Sequence, residues 1–296
     1  MSEISFPGLG IDTFHIDSTA IEFSIGSKDF SIKWYGIIIC FGIICAFLYF
    51  MMRAKQVGIS SDTVVDFTIV TVPTAVIGAR VYFVVFFGGY DTFWQMIAIW
   101  NGGLAIYGAI IFGAAAVIIM CRIKKVKFFA FADMIGPAVM LGQAIGRWGN
   151  FCNGEAFGSE TTSFIRMGLK SSWTGYDYVE VHPTFLYESL WNLIGFVLIN
   201  VFYKHRRFNG EAFLWYVAWY GFGRTFIELL RADSLYLGSV RVSSLLGLVC
   251  FVVVTPIIIY GRIKSKKLAA TGYTGLVDLT DIFGLKRKAR AEKTEE

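Results

Sequence analysis

Residues Gly146 to Gly158 read Gly-Arg-Trp-Gly-Asn-Phe-Cys-Asn-Gly-Glu-Ala-Phe-Gly, a dense set of groups able to do chemistry. A guanidinium (Arg147), a carboxylate (Glu155) and two carboxamides (Asn150 and Asn153) stand among four glycines, where a strongly apolar stretch ends. Glycine lets backbones approach closely or take positive φ. An arginine withdrawn from water needs an anion or several acceptors around it. The block therefore reads as a polar site at the mouth of a membrane bundle. A glycine-rich packing seam with a satisfied Arg–Glu pair would use the same residues. A second group, Arg224, Glu228 and Arg231, is spaced to share one helix face, as a ligand-binding face or as an internal ion-pair ladder. The five cysteines show neither metal-ligand spacing nor a disulfide framework, so no metal and no cofactor is expected.

The elements that must position these groups are membrane helices. The chain is 55% hydrophobic and only 17% charged, well below the roughly 25% of a soluble protein, and its mean hydropathy is positive. Spans of about 20 apolar residues run from Trp34 to Met52, Phe67 to Gly89, Gly102 to Cys121, Phe128 to Gly149, Pro183 to Tyr203, Ala212 to Leu230 and Val242 to Gly261. The expected fold is all-α: a polytopic membrane protein of seven helices, with no internal repeat and no linker dividing it. Residues 1–33 form an outer segment without the pattern of a signal peptide. Residues 34–262 form the membrane domain, with a polar and aromatic excursion at 150–183. Residues 263–296 form a basic tail, read as an anchor on anionic lipid. Gly142, Gly146 and Gly149 give the fourth span a small-residue face for close helix packing.

Lys and Arg favour cytoplasmic loops. The ends after spans one, three, five and seven carry eighteen of them and the opposite ends six, while Arg80, Arg147 and Arg224 lie within spans. The N-terminus is therefore expected outside and the C-terminus in the cytoplasm. The net charge of +5 is placed by topology and does not suggest nucleic acid. In this orientation Arg80, Arg147 and Arg224 fall late in outward-running spans. Tyr35, Asn101, Tyr107, His182, Tyr187 and Glu188 fall early in inward-running ones. The polar residues of six segments thus gather in the outer half of the membrane.

The residues at 146–155 also resemble the signature Gly-Arg-x-Gly-Asn-Phe-x-Asn-Gly-Glu of the bacterial prolipoprotein diacylglyceryl transferase family. Further likenesses follow in that family's order: Trp34-Tyr35-Gly36, Gly78-Ala79-Arg80, Trp100-Asn101-Gly102-Gly103, His182-Pro183-Thr184 with Tyr187-Glu188, and Arg224 with Glu228 and Arg231. The resemblance covers roughly residues 30 to 262 and leaves the tail aside.

It implies an enzyme of the bacterial cytoplasmic membrane, with a site facing the outer leaflet. The enzyme would move the diacylglyceryl group of phosphatidylglycerol to the lipobox cysteine of a prolipoprotein signal peptide, making a thioether and releasing glycerol phosphate. Membrane lipid and the prolipoprotein are the expected partners. Arg147 and Arg224 would hold the phosphate, since guanidinium matches phosphate geometry and stabilises developing charge. Asn150 and Asn153 would orient the head group, and Glu155 would orient Arg147 or a glycerol hydroxyl. Tyr35, Arg80, Asn101, Glu188, Glu228 and Arg231 complete the expected binding set. In one place the chain departs from the family. Many members carry His-Gly-Gly in the third helix, where this chain has Tyr107-Gly108-Ala109. Either Tyr107 carries the proton, or it only binds and His182 or Glu155 is the base. A transporter or channel for an anionic solute is the competing class, although such proteins usually show paired repeats.

Overall fold

The computed structural model describes residues 1–26, 28–270 and 275–283, so residues 284–296 of the basic tail lie outside the described residues. Seven long helices carry the chain: α1 (Trp34–Gln56), α2 (Ser61–Phe87), α4 (Ile106–Ile123), α5 (Phe128–Asn153), α6 (Thr184–Phe202), α7 (Glu211–Leu230) and α8 (Val242–Ala270). The short α3 (Phe93–Ile97) and a final turn, α9 (Leu279–Ile282), add to them. Among the described residues six helices are long and apolar enough to cross a membrane, and the chain is a multi-span membrane protein. The exception is α7, which carries Glu211, Arg224 and Glu228 within its 20 residues.

The expected spans fall on these helices, with one consequential shift. The fourth continues past Gly149 to Asn153. Asn150 and Asn153 therefore stand on the last turn of α5 and not in a loop.

Not everything is helical, and the expectation of an all-α chain needs correction. Strands β1 (Ser2–Phe6), β2 (Ile11–Ile16), β5 (Met167–Lys170) and β6 (Val179–Val181) form an antiparallel sheet in the order β2-β1-β5-β6. Strands β3 (Thr19–Ile25) and β4 (Lys28–Lys33) form a separate hairpin leading into α1. Ile-Glu-Phe-Ser-Ile at 21–25 alternates as a strand should. The sheet's apolar face is Ile4, Leu169 and Val181, packed on Phe185 at the start of α6 and on Phe151 of α5. The N-terminal segment and the excursion are thus one cap, built over the helix ends that carry the polar residues.

The described chain forms two compact units, residues 1–48 with 132–296 and residues 49–131. In the first, the glycine face of α5 lies on α1 as its spacing suggests. Gly142 meets the Gly42 backbone and Gly146 meets Ile39. At Gly149 a Cβ would fall 2.8 Å from the Tyr35 ring, so only glycine lets α1 come this close. Helices α6 and α7 are joined by a reciprocal clasp. The Trp191 and Trp219 rings stack with centroids 4.3 Å apart. Each indole N–H donates to the other residue's backbone oxygen at 2.9 Å. This clasp fixes the rotation of α6 against α7, and with it which side chains face each other nearer the cap. At the far end of α7, Asp133 accepts from the Gly210 and Phe213 amides at 2.9 and 3.1 Å, answering the exposed N–H groups of a helix start.

In the second unit α2 and α4 touch backbone to side chain at Gly78 and Gly108. Thr92 and Gln95 form a capping box at the start of α3.

Candidate active site

Glu188, in the second turn of α6 and 3% exposed, is the hub of the polar cluster. Its Oε2 lies 2.5 Å from Arg147 Nη2 on α5. Its Oε1 accepts from Arg224 Nη1 of α7 at 3.0 Å and from Arg231 Nη1 at 3.1 Å. A second buried carboxylate, Glu228, lies 2.6 Å from Arg224 Nη2 and 4.0 Å from Arg231 Nε. Three guanidiniums, from α5, from α7 and from the residue just past α7, thus share two carboxylates that are almost wholly removed from water. Unpaired ions there would each cost several kcal/mol, and mutual pairing offsets that cost. Arg231 is tied further by two parallel bonds to Asp233, at 2.9 and 2.8 Å. Burial alone would raise the Asp233 carboxyl, but the Arg231 hydrogen bonds and charge hold it below the usual carboxylate range. Conversely, burial acts to lower Arg231, and Asp233 and Glu188 more than reverse it.

The signature segment feeds this cluster from the end of α5. The helix closes on Gly154 at φ 62°. The Gly154 amide donates to the Phe151 carbonyl at 3.0 Å and the Glu155 amide to the Asn150 carbonyl at 3.1 Å. These two bonds define a Schellman termination. The left-handed turn folds Glu155 back over the helix it has just left. Its Oε1 accepts from Asn150 Nδ2 at 3.1 Å and from Asn153 Nδ2 at 3.2 Å. Asn150 Oδ1 in turn lies 3.5 Å from Arg147 Nη1. Glu155 therefore reaches Arg147 through Asn150.

His182 and Tyr187 enter from the strand-to-helix junction before α6. His182 Nδ1 lies 3.1 Å from the Tyr187 hydroxyl. The main chain binds this junction to the cluster's own segments. The Gly158 amide donates to His182 O at 2.9 Å, and the Ser159 amide to Leu230 O at 2.6 Å.

Arg80 and Tyr107 belong to the 49–131 unit. The Arg80 guanidinium, 6% exposed, donates to four backbone oxygens: Met96 at 2.8 Å, Gly102 at 2.6 Å, Gly103 at 2.9 Å and Gln95 at 2.7 Å. Arg80 thus holds the turn from α3 to α4 in shape. Tyr107 is the second residue of α4, half-buried, with its ring 6.3 Å from that of Tyr82. The side chain of Asn101 lies outside the described residues.

Two participants were missed in the sequence. Asp233 pairs with Arg231, and Arg241 Nη1 donates to the backbone oxygens of Glu228 and of Arg231, the latter at 3.0 Å. The available signal was Arg-x-Asp immediately past a helix end. Beside Arg147 and Glu188 runs an apolar groove of about 530 Å³, lined by Phe41, Ile145, Trp148, Ser189 and Leu193 among others. Trp148 and Ser189, the immediate neighbours of Arg147 and Glu188, are joined by an indole N–H donated to the hydroxyl at 3.2 Å. Among the described residues no cluster of His, Cys, Asp or Glu is arranged to hold a metal ion.

In comparison with known proteins, the family model for prolipoprotein diacylglyceryl transferase matches residues 20–260. Phosphatidylglycerol–prolipoprotein diacylglyceryl transferase of Listeria monocytogenes serotype 4a (strain HCC23) is 42% identical over 256 residues, covering 84% of this chain and 91% of the relative. The protein of the same name from Limosilactobacillus reuteri (strain DSM 20016) is 44% identical over 246 residues, 80% of this chain and 89% of its own. One of that name numbered 1 in Clostridium perfringens (strain 13 / Type A) is 42% identical over 260 residues, 83% and 97% of the two chains.

Proposed function

The chain belongs to the prolipoprotein diacylglyceryl transferase family, and from that premise we propose that it transfers the diacylglyceryl group of phosphatidylglycerol to the lipobox cysteine of prolipoproteins. The observation that carries the mechanism is the sharing of Glu188 by Arg147, Arg224 and Arg231. In the reaction the cysteine sulfur attacks the glycerol carbon that bears the phosphate. A carbon–sulfur bond forms, the carbon–oxygen bond to phosphate breaks, and glycerol phosphate leaves with the electron pair. The thiol proton passes to a base. Charge grows on the leaving phosphate, so fixed guanidiniums in a water-poor site lower the barrier. Arg147 and Arg224 supply them. Glu188 and Glu228 hold those guanidiniums in place before substrate arrives, so little reorganisation accompanies the step. Asn150, Asn153 and Glu155 form the polar wall that orients the head group. Tyr35, packed on Gly149, and Arg231, paired with Glu188, complete the binding set. Arg80, which holds the turn that includes Asn101, is assigned to the binding set on the family resemblance alone. Tyr107, His182, which is hydrogen-bonded to Tyr187, and Glu155 are the candidates for taking the thiol proton.

The groove beside Trp148 suits an acyl chain of the donor. It is lined by apolar side chains of α1, α5 and α6, and its Trp148 and Ser189 are the sequence neighbours of Arg147 and Glu188.

The same reading assigns α7 as a seventh span. Its 20 residues would extend about 30 Å, the thickness of the hydrocarbon core. Its charges are paired, Arg224 with Glu188 and Glu228, and Glu211 with Arg262. Seven spans with the basic ends inside put the N-terminus and the cap on the outer face of the bacterial cytoplasmic membrane and the tail in the cytoplasm. The site then opens to the outer leaflet, where a lipid and a signal-anchored peptide meet. The test is to incubate the purified protein with phosphatidylglycerol and a lipobox peptide and weigh the peptide. A gain of one diacylglyceryl group, absent when the peptide cysteine is serine, is expected. An unchanged peptide mass from folded protein would reject the assignment.

A further inference from the structure

The end of the α6–α7 pair remote from the arginine cluster holds a second cavity. It has a volume of about 290 Å³ and runs from Gly195 past Leu198 and Trp215 to Arg206 and Arg262. It is open because Gly195 and Ala212 leave no bulk between the helices, and the Trp219 ring forms its closed end against Gly195. Trp215, 42% exposed, and Phe202, 61% exposed, flank its mouth.

The walls are apolar and the rim is basic. The Arg206 guanidinium lies 4.2 Å from the Tyr203 ring centroid. It donates to the Tyr203 carbonyl at 3.0 Å and comes no closer than 3.6 Å to Asp133. Arg262 Nε lies 2.9 Å from Glu211, while 45% of its side chain remains exposed. Arg206 and Arg262 line the cavity with the buried Glu211, the buried Asp133 lies 3.6 Å from Arg206, and Lys204 and Arg207, both exposed, neighbour Arg206 in sequence. The uncompensated charge is positive and the acids are already engaged. A phosphate head group with net negative charge fits this imbalance and an electrically neutral head group does not.

We propose that this cavity is a binding site for an anionic glycerophospholipid, with one acyl chain in the groove between α6 and α7 and its phosphate between Arg206 and Arg262. Glu188 and Phe202 are separated by about 21 Å along α6, so this lipid occupies a site distinct from the one where transfer is assigned. It spans the crevice between the two helices that carry Glu188 and Arg224. Its effect is to brace their packing at the end opposite the reaction.

The test uses the full chain in detergent micelles, titrated separately with dioleoyl phosphatidic acid and dioleoyl phosphatidylcholine. Retained lipids are counted by native mass spectrometry. Phosphatidic acid should be retained in preference to phosphatidylcholine. Arg262→Gln should bind it about fivefold more weakly, the worth of one basic side chain beside an anionic head group. Leu198→Phe, which fills the groove, should lose one tightly held equivalent. Both variants should keep transfer activity. The lipid count stands whether or not the transferase assignment holds. In wild-type protein, phosphatidic acid with brominated chains should quench tryptophan emission more than it does in Trp215→Phe. Equal retention of the two lipids by wild type, unchanged retention by Arg262→Gln and Leu198→Phe, or equal quenching in wild type and Trp215→Phe would each overturn the proposal.

Discussion

Glu188 Oε2 lies 2.5 Å from Arg147 Nη2, and this contact ties the final turns of α5 to the opening turns of α6. The same carboxylate holds Arg224 and Arg231, so neutralising it leaves those two with Glu228 and Asp233 and takes from Arg147 the carboxylate it pairs with. Removing one partner of a buried pair typically costs about 3–5 kcal/mol. Glu188→Gln should therefore lower the unfolding temperature markedly and cut transfer more than tenfold. Glu188→Asp should recover part of each. Calorimetry and the transfer assay on one preparation check this, and a Glu188→Gln protein with wild-type values in both would show that the hub is dispensable.

Gly154 terminates α5 at φ 62°, and a Cβ there would fall 2.7 Å from Ser2 Oγ. Left-handed backbone costs a residue with a side chain about 1–2 kcal/mol. Gly10, at φ 71° with open space around it, isolates that backbone cost from the contact. Gly10→Ala should lose about 1 kcal/mol and keep full activity. Gly154→Ala should lose more, and it should also lose turnover, because Glu155 can no longer fold back onto Asn150 and Asn153. Equal stability and equal activity of the two variants would detach the helix end from the site.

How much of this was legible beforehand depends on the range of the interaction. The pairing of Arg224 with Glu228 follows from i,i+4 spacing, and the seam of α5 on α1 follows from Gly142, Gly146 and Gly149. Glu188 was named as a binding residue from its motif, but its place at the centre was not readable. That depends on how α6 is rotated against α7, and the Trp191–Trp219 clasp fixing the rotation joins residues far apart in sequence. The sheet was missed for the same reason. Strand β1 pairs with β5, more than 150 residues away by the registry Ile4 to Leu169, and neither strand carries its partner's address. The end of α5 was drawn at Gly149 because glycine and asparagine weaken a helix. Here the cap's contacts with Phe151 outweigh that propensity.

The proton acceptor is separable by substitution. If Tyr107 carries the proton, Tyr107→Phe should lose about 10²–10⁴ in rate and Tyr107→His should retain activity. If it only shapes the pocket, Tyr107→Phe should be active and either His182→Gln or Glu155→Gln should be the poor enzyme. Initial rates of peptide lipidation, measured across pH for these variants, assign the role.

Asp233 gives a pH signature. Its carboxyl is held low in the folded protein by Arg231, so its contribution to stability is fully present above its unfolded value of about 3.9. That contribution fades only as pH falls through the lower folded value. The difference in unfolding temperature between wild type and Asp233→Asn should stay constant from about pH 5 to 8 and shrink below about pH 4. A difference that grew on acidification would have the wrong sign for this pair.

The central claim is that Arg147 and Arg224 stabilise the departing phosphate, and the lipidation rates of Arg147→Ala, Arg147→Lys and Arg224→Ala test it most directly. Each should turn over peptide about 30-fold to several-thousandfold more slowly than wild type, the equivalent of about 2–5 kcal/mol for one buried charged contact. Lysine should not rescue position 147, since a point charge cannot replace a planar fork. Folded Ala variants that lipidate the peptide at near-wild-type rates would contradict the account.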